Sequence, residues 1–339
     1  MRKTAQIAVG LVISLLALWL AFRSANLALV AQALREANYF YVLPAAVLIW
    51  LGLVFRALSW RVILDGQAPL RRVYDAMNEG YLLNNVLPFR LGEFGRAYLI
   101  SRGSRGRVTP AQALSSVVVE RVIDLLMILV MLLAFLPQLA GLGLGPTFAA
   151  LSGLIGALAL AGLVFLARQQ GLVLRLARGV FERLKLRDPA AWEARVVSFL
   201  NGLAVLQDPR RAFLAAMWSG LAWVAAGFGA WVLLLGFVPG AAATMGFFVL
   251  LAVGLGQAIP SAPGAAGVFE VAAVLALGVF GVPNNLALSF ALVFHLLNLV
   301  LTSALGGLAL AGEGETIAHL AQSAQAMLSG ARQAAPSDQ

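Results

Sequence analysis

Thr244–Gly281 reads TMGFFVLLAVGLGQAIPSAPGAAGVFEVAAVLALGVFG, and the reading of this stretch decides the fold. It is apolar on both sides of Gln257, Pro260, Ser261, Pro263 and Gly264, with Glu270 as its one charge. Proline removes a backbone donor and clashes with the preceding turn, so a single straight helix cannot run through it. Irregular backbone at membrane depth persists only where protein buries it or where it lines a wet cavity. The stretch therefore predicts two helical arms joined by a broken tip, a re-entrant hairpin. Its surroundings place it in a membrane: Ala212 to Gly312 is 101 residues with only Glu270 charged, and Leu125 to Ala167 is 43 residues with no charge. Over the whole chain of 339 residues, 61% are hydrophobic and 12% charged, against about 25% charged in a soluble domain. A span takes about 20 apolar residues, so these two stretches alone hold several.

Upstream, Val73–Ser101 has the same character, broken by Asn84, Asn85, Pro88, Arg90, Gly92, Glu93 and Arg96. The tips share a pattern: Asn85, Pro88 and Gly92 stand at the same spacing as Gln257, Pro260 and Gly264. Basic sequence flanks the first hairpin and short uncharged loops flank the second, so the two enter from opposite faces. The expected fold is an all-α polytopic membrane protein with inverted-topology repeats, each a crossing, a re-entrant hairpin and a crossing, over about 39–136 and 212–311. Interrupted segments at matching places in two halves mark a transporter's midplane site.

Six spanning helices are expected, at about 5–22, 39–58, 110–136, 147–167, 212–235 and 285–311, in one transmembrane domain 1–312 followed by a tail 313–339. The apolar run at 5–22 exceeds the roughly 7–15 residues of a signal-peptide core, so it reads as a retained first span. Basic residues gather at Arg56–Arg107 and in the connector 168–211, leaving Arg23 and Arg35 on the other side. This positive-inside asymmetry predicts cytoplasmic termini in what reads as a bacterial plasma membrane. Residues 26–38 predict a short amphipathic piece on the outer surface. Leu172, Leu176, Val180 and Leu184 recur among arginines, predicting a basic helix on the anionic lipids of the inner leaflet. The chain has no cysteine and two histidines, His295 and His319, which excludes thiolate chemistry and argues against any metal site or cofactor. Nucleic acid is not an expected partner, because no basic stretch interleaved with aromatics lies on a soluble domain.

Each charge at a helix centre costs about 2.5–3.5 kcal/mol to insert, so each must be paired or face a polar cavity. Glu120 and Asp124 are four apart and share a helix face, whereas Arg121 points about 100° away and needs its own partner, with Glu93 and Glu270 as candidates. These groups are either fixed ion pairs or a head-group or proton site. Arg90 and Arg96 flank the first tip, where arginine forks and half-helix donors suit a phosphate. Asn84, Asn85 and Gln257 are expected to satisfy freed backbone groups at the tips. His295 and Asn298, three apart on the last span, suit an interhelical hydrogen bond.

The motifs Asn84-Asn-Val-Leu-Pro88-Phe-Arg-Leu-Gly92-Glu93-x-x-Arg96, Glu120-Arg121-x-x-Asp124 and Pro260-x-x-Pro263-Gly264-x-x-Gly267-x-x-Glu270 resemble successive signatures of the lysylphosphatidylglycerol synthase transmembrane family, also called flippase-like. The resemblance covers about residues 5–312. In bifunctional members a soluble aminoacyltransferase domain follows the membrane domain, which the resemblance implies moves the modified lipid to the outer leaflet. These 339 residues hold no such soluble domain, so lysyl transfer is not expected. The expectation is a non-enzymatic lipid transporter whose substrate is an anionic phospholipid or a polyprenyl-phosphate lipid. Two alternatives stay open: a scaffold partner of a separate lipid-modifying enzyme, and an enzyme acting on a lipid phosphate through Glu93, Glu120 or Asp124.

Overall fold

The structure is a computed structural model; it describes residues 2–23, 25–87, 91–104, 106–135, 169–183, 189–257, 259 and 261–313, with isolated positions between 154 and 168. The described residues form helices joined by short turns, with no strand among them. Helix α1 (Arg2–Phe22) turns by 80° into α2 (Leu27–Glu36). Asn26 makes this turn: its side chain caps α2 by accepting from the Ala28 and Leu29 amides. A 3-10 turn at Tyr39–Tyr41 leads into α3 (Val42–Ile63), and α6 (Pro110–Ala134) starts at the Thr109 cap with Pro110 in the first turn. The second half holds α9 (Pro209–Leu235), again with a capping side chain, Asp208, and a proline start, and α12 (Asn284–Glu313).

Of the six crossings expected from the sequence, α3, α9 and α12 have the length and apolarity to cross a membrane, and α1 does so together with α2 as a bent pair. Helix α6 has the length, 25 residues, but carries Glu120, Arg121 and Asp124 in its middle. The crossing expected at 147–167 lies outside the described residues apart from isolated positions. Leu296, Leu308 and Phe213 on the long helices point outward and exposed, as they must on faces that meet lipid. The chain is a multi-pass membrane protein.

Neither interrupted segment runs as one helix. The first becomes α4 (Leu70–Val86) and α5 (Gly92–Gly103), the second α10 (Ala243–Gly256) and α11 (Val268–Gly278). At 1.5 Å per residue these arms are about 17–26 Å long, short of a roughly 30 Å hydrocarbon core. Each pair folds back antiparallel. In the first, a Cβ on Gly92 would sit 1.8 Å from the Gly80 carbonyl oxygen, so the arms touch backbone to backbone there and only glycine fits. In the second, Gly256 abuts Val268 and Ala272.

The packing repeats under an exchange of halves. α3 packs antiparallel on α9 through small residues: a Cβ on Gly52 would lie 3.2 Å from the Ala222 carbonyl oxygen, and one on Gly229 would lie 3.3 Å from that of Ala45. α4 packs on α12 as α10 packs on α6, and α5 on α6 as α11 on α12. Two apolar cores result, one centred on α9 to α12 and one on α3 to α6. The surface piece expected at 26–38 is fastened to α12: the Asn26 amide donates to Asn285 Oδ1 at 2.8 Å and Ser289 Oγ to the Val30 carbonyl at 3.3 Å. In the connector, α7 (Gln170–Arg183) packs on α8 (Pro189–Gly202), which packs on α6.

Candidate functional site

Ten residues along α6 from Pro110, about 15 Å, the carboxylates of Glu120 and Asp124 are buried and face α3 and α5. Each finds an arginine. Arg56, on α3, brings Nη1 to 2.8 and 3.0 Å from the two oxygens of Asp124 and to 3.3 Å from Glu120 Oε1. Arg96, on α5, places Nη1 2.8 Å from Glu120 Oε2, and both side chains are 2% exposed. The Arg96 guanidinium lies 4.9 Å over the ring of Trp60, whose indole N–H is fixed by Ser116 Oγ at 2.9 Å. Arg121 pairs with Glu93 and, at 3.4 Å, with Asp124. From α9 the Trp223 indole N–H donates to Asp124 Oδ1 at 3.0 Å, and Ser219 Oγ lies 3.5 Å from the same oxygen.

Among the described residues, three guanidinium groups thus face three carboxylates, and their formal charges cancel. That neutrality lets the cluster survive at depth, since an unpaired ion there costs several kcal/mol. The cluster is graded: Arg121 is 40% exposed and Glu93 19%, while Arg96 and Glu120 are sealed. Arg96 is also under-used, because none of its three nitrogens makes an aligned hydrogen bond to an acceptor among the described residues; its tie to Glu120 is ionic contact alone.

The tips are tied down separately. Asn84 Oδ1 accepts the Gly92 amide at 2.8 Å, closing the first tip on itself, and Asn85 Nδ2 donates to Thr302 Oγ1 and Ser303 Oγ of α12 at 2.9 and 3.0 Å. The second tip meets the first: a Cβ on Gly264 would lie 3.9 Å from the Asn85 carbonyl oxygen. Its amide at Ala262 donates to Ser14 Oγ of α1 at 2.7 Å. Gly264, Ala265 and Gly267 all have positive φ, at 68°, 60° and 86°; for Ala265 this costs roughly 1–2 kcal/mol. Gln257 ends α10 with its amide on the Val253 carbonyl at 2.9 Å.

Glu270 stands apart from the arginine cluster. In the first turn of α11 it accepts the Gly267 amide at 2.7 Å, and its other oxygen lies 2.6 Å from His295 Nδ1. His295 Nε2 lies 2.8 Å from the Gly264 carbonyl oxygen, and its ring stacks on Phe269 at 4.3 Å. Of the candidates read from sequence, the structure therefore gathers Glu93, Arg96, Glu120, Arg121 and Asp124. It puts Asn84, Asn85 and Gln257 at the tips and sets Glu270 beside His295, while Arg90 lies outside the described residues. Sequence reasoning missed Arg56, Trp60 and Trp223. A cleft of about 370 Å³, lined by Asp65, Gln67, Arg107, Gln112, Asn201 and Arg211, lies at the start of α6 and α9 rather than at the tips.

No curated protein and no solved structure matches the chain. The model of the family described as the lysylphosphatidylglycerol synthase TM region matches residues 7–306. With a match over nearly the whole of its helical part, the chain belongs to the lysylphosphatidylglycerol synthase transmembrane family.

Proposed function

We propose that the chain carries a phosphate-bearing lipid, anionic or polyprenyl-linked, between the leaflets of a bilayer, without itself catalysing a covalent step. The family's name ties it to membrane lipid. The observation that carries the reading is Arg96: a buried guanidinium with unused donors, in the second turn of α5 and four residues past the break at Gly92. An arginine fork offers a phosphate two parallel hydrogen bonds, which Glu120 does not use up here.

In the proposed topology the two hairpins are re-entrant, their repeats are inverted, and both termini face the cytoplasm of a bacterial cell. Arg90, which lies between Pro88 and Gly92 in the sequence, is assigned the first contact with the head group. The phosphate then displaces Glu120 from Arg96, and Glu120 stays neutralised by Arg56. The cluster that the head group meets is neutral among the described residues, so any head-group charge that Arg90 does not match must be met by a proton or by carboxylate movement at Glu93, Glu120, Asp124 or Glu270. The acyl or prenyl tails remain in the bilayer.

The test is leaflet exchange in vesicles holding the purified full chain, against a panel of labelled anionic phospholipids and polyprenyl phosphates. The expected result is exchange above that of protein-free vesicles for at least one lipid, slowed tenfold or more by Arg90→Ala together with Arg96→Lys. Protein-free rates across the whole panel would overturn the transporter reading, and a covalent lipid product would replace it with the enzymatic one.

A further inference from the structure

The hydrogens around His295 are over-determined. Its Nε2 is 2.8 Å from the Gly264 carbonyl oxygen, which can only accept, so Nε2 must carry a hydrogen. A neutral imidazole has one N–H; that would leave a bare Nδ1 lone pair 2.6 Å from Oε1 of Glu270. The other carboxyl oxygen already accepts the Gly267 amide. The short contact is attractive only when one further proton sits between Nδ1 and Oε1, on the ring or on the carboxyl.

We infer that Glu270 and His295 together form a proton-binding site that latches the broken tip of the second hairpin. With the proton bound, the ring holds Glu270 and Gly264 at once. When the proton leaves to water, one N–H remains; drawn to the carboxylate, it sits on Nδ1, and Nε2 then turns a lone pair toward the Gly264 carbonyl, which lets go. The exchange is one proton, with no bond to carbon broken and no redox change.

The surroundings suit a site that answers to this proton alone. Both side chains are 5% exposed. What faces them is uncharged: the Phe269 ring stacked flat on the imidazole, which favours a cationic ring, Ser14 of α1 against Ala262, and Asn85 and Leu299 against Gly264. Glu270 is the one ionisable side chain of α10 and α11. No ion pair or hydrogen bond among the described residues reaches Glu270 or His295 from an ionisable group of α1, α2, α3, α4 or α9. The carboxylates of the arginine cluster, Glu93, Glu120 and Asp124, are held by Arg56, Arg96 and Arg121. The latched element is one that gains from release, since Ala265 is held at a φ of 60°, and the tip rests on the Asn85 carbonyl of the first hairpin. The site's part in transport rests on the reading proposed above; its proton does not.

His319→Gln leaves His295 as the chain's one histidine, so imidazole nitrogen spectra of the full chain in bilayer discs report it alone. The expected spectrum at neutral pH has a hydrogen on Nε2, and raising the pH within the folded range converts the ring to the Nδ1–H tautomer. Glu270→Gln supplies a permanent donor to Nδ1 while its carbonyl keeps the Gly267 amide, so the Nε2–H form should then persist at every pH. A bare Nε2 at neutral pH, or a tautomer change that Glu270→Gln does not abolish, would overturn the proton site. In vesicles, a parent protein whose lipid exchange depends on pH and a Glu270→Gln variant at least tenfold slower and pH-independent would support the latch. Exchange by Glu270→Gln equal to the parent's at every pH would refute the latch while leaving the transporter reading intact. If no lipid moves at all, the transporter reading fails and the spectra still decide the proton.

Discussion

Asp124→Ala is the sharpest test of the arginine cluster. The substitution removes one of three carboxylates that balance Arg56, Arg96 and Arg121. Arg56 is left with Glu120 alone, at 3.3 Å and already shared with Arg96, and the Trp223 indole loses the acceptor it holds at 3.0 Å. Leaving a buried ion without its partner costs about 3–5 kcal/mol, and an orphaned buried donor adds about 1–3 kcal/mol. Against a stability of roughly 5–15 kcal/mol, the variant should yield much less folded protein, with a lower midpoint of denaturant unfolding in detergent. Arg121→Ala should cost less, because the pair is partly exposed, Arg121 at 40% and Glu93 at 19%, and water takes over part of the role of Arg121 toward Glu93. The decisive variant is the double replacement of Arg56→Met with Asp124→Leu. It leaves two cations facing two carboxylates, and apolar replacement of a buried pair is often neutral or stabilising. It should therefore unfold later than Asp124→Ala alone. A double variant at or below the single one would show that charge balance is not what holds α3, α5 and α6 together.

Two further outcomes follow from local geometry. Gly92→Ala should destabilise by about 1–3 kcal/mol, as overpacking does, because its Cβ would fall 1.8 Å from the Gly80 carbonyl oxygen, whereas Gly307→Ala, with nothing within 4 Å and inside α12, should hold or raise the unfolding midpoint. On the connector, the hydrogen bond from Arg178 holds the Glu193 carboxyl below the ordinary carboxylate range. A lowered folded-state value means that the pair's contribution is present above the unfolded-state pKa and lost as pH falls through the folded one, so limited proteolysis between α7 and α8 should quicken on acidification in the parent and not in Glu193→Gln.

How much of this was legible from sequence depends on whether the physics is local. Pro88 to Gly92 and Gln257 to Gly264 announce breaks because proline and glycine act on their own backbone, and the helix arms end where expected. Thr109 and Pro110 set the start of α6 for the same reason. Arg121 was assigned Glu93 or Glu270 by elimination, and the structure gives Glu93. Arg56 was hidden by its position: it reads as the first of the basic residues ending a crossing at about Leu58. Yet α3 continues to Ile63, placing Arg56 seven residues, about 10 Å, inside the helix. Trp60 and Trp223 look like ordinary packing residues until α5 and α6 fold against them, since only a distant contact turns an indole into a shelf for Arg96 or a donor to Asp124. The fastening of α2 to α12 rests on Asn285 and Ser289, more than 250 residues away, and no local pattern could have revealed it.

The exchange of halves that relates α5 and α6 to α11 and α12 also relates their ion pairs. Glu93 lies in the first turn of α5 and meets Arg121 on the next long helix; Glu270 lies in the first turn of α11 and meets His295 on the next long helix. The carboxylate is kept in both halves and the cation is changed. An arginine cannot lose its proton in a protein, so the clasp on the first hairpin does not open by deprotonation of its cation. An imidazole can, so the clasp on the second hairpin is conditional. The first hairpin also carries the cluster with the open donors of Arg96, and the second carries the positive-φ tip that rests on Asn85. On the transporter reading proposed above, the first hairpin holds the head group and the second moves against it. Replacing His295 by arginine would make the two clasps alike, and a chain so changed should keep its fold and its permanent ion pair while losing any pH dependence of lipid exchange. Unaltered pH dependence in that variant would mean that the titrating group lies elsewhere.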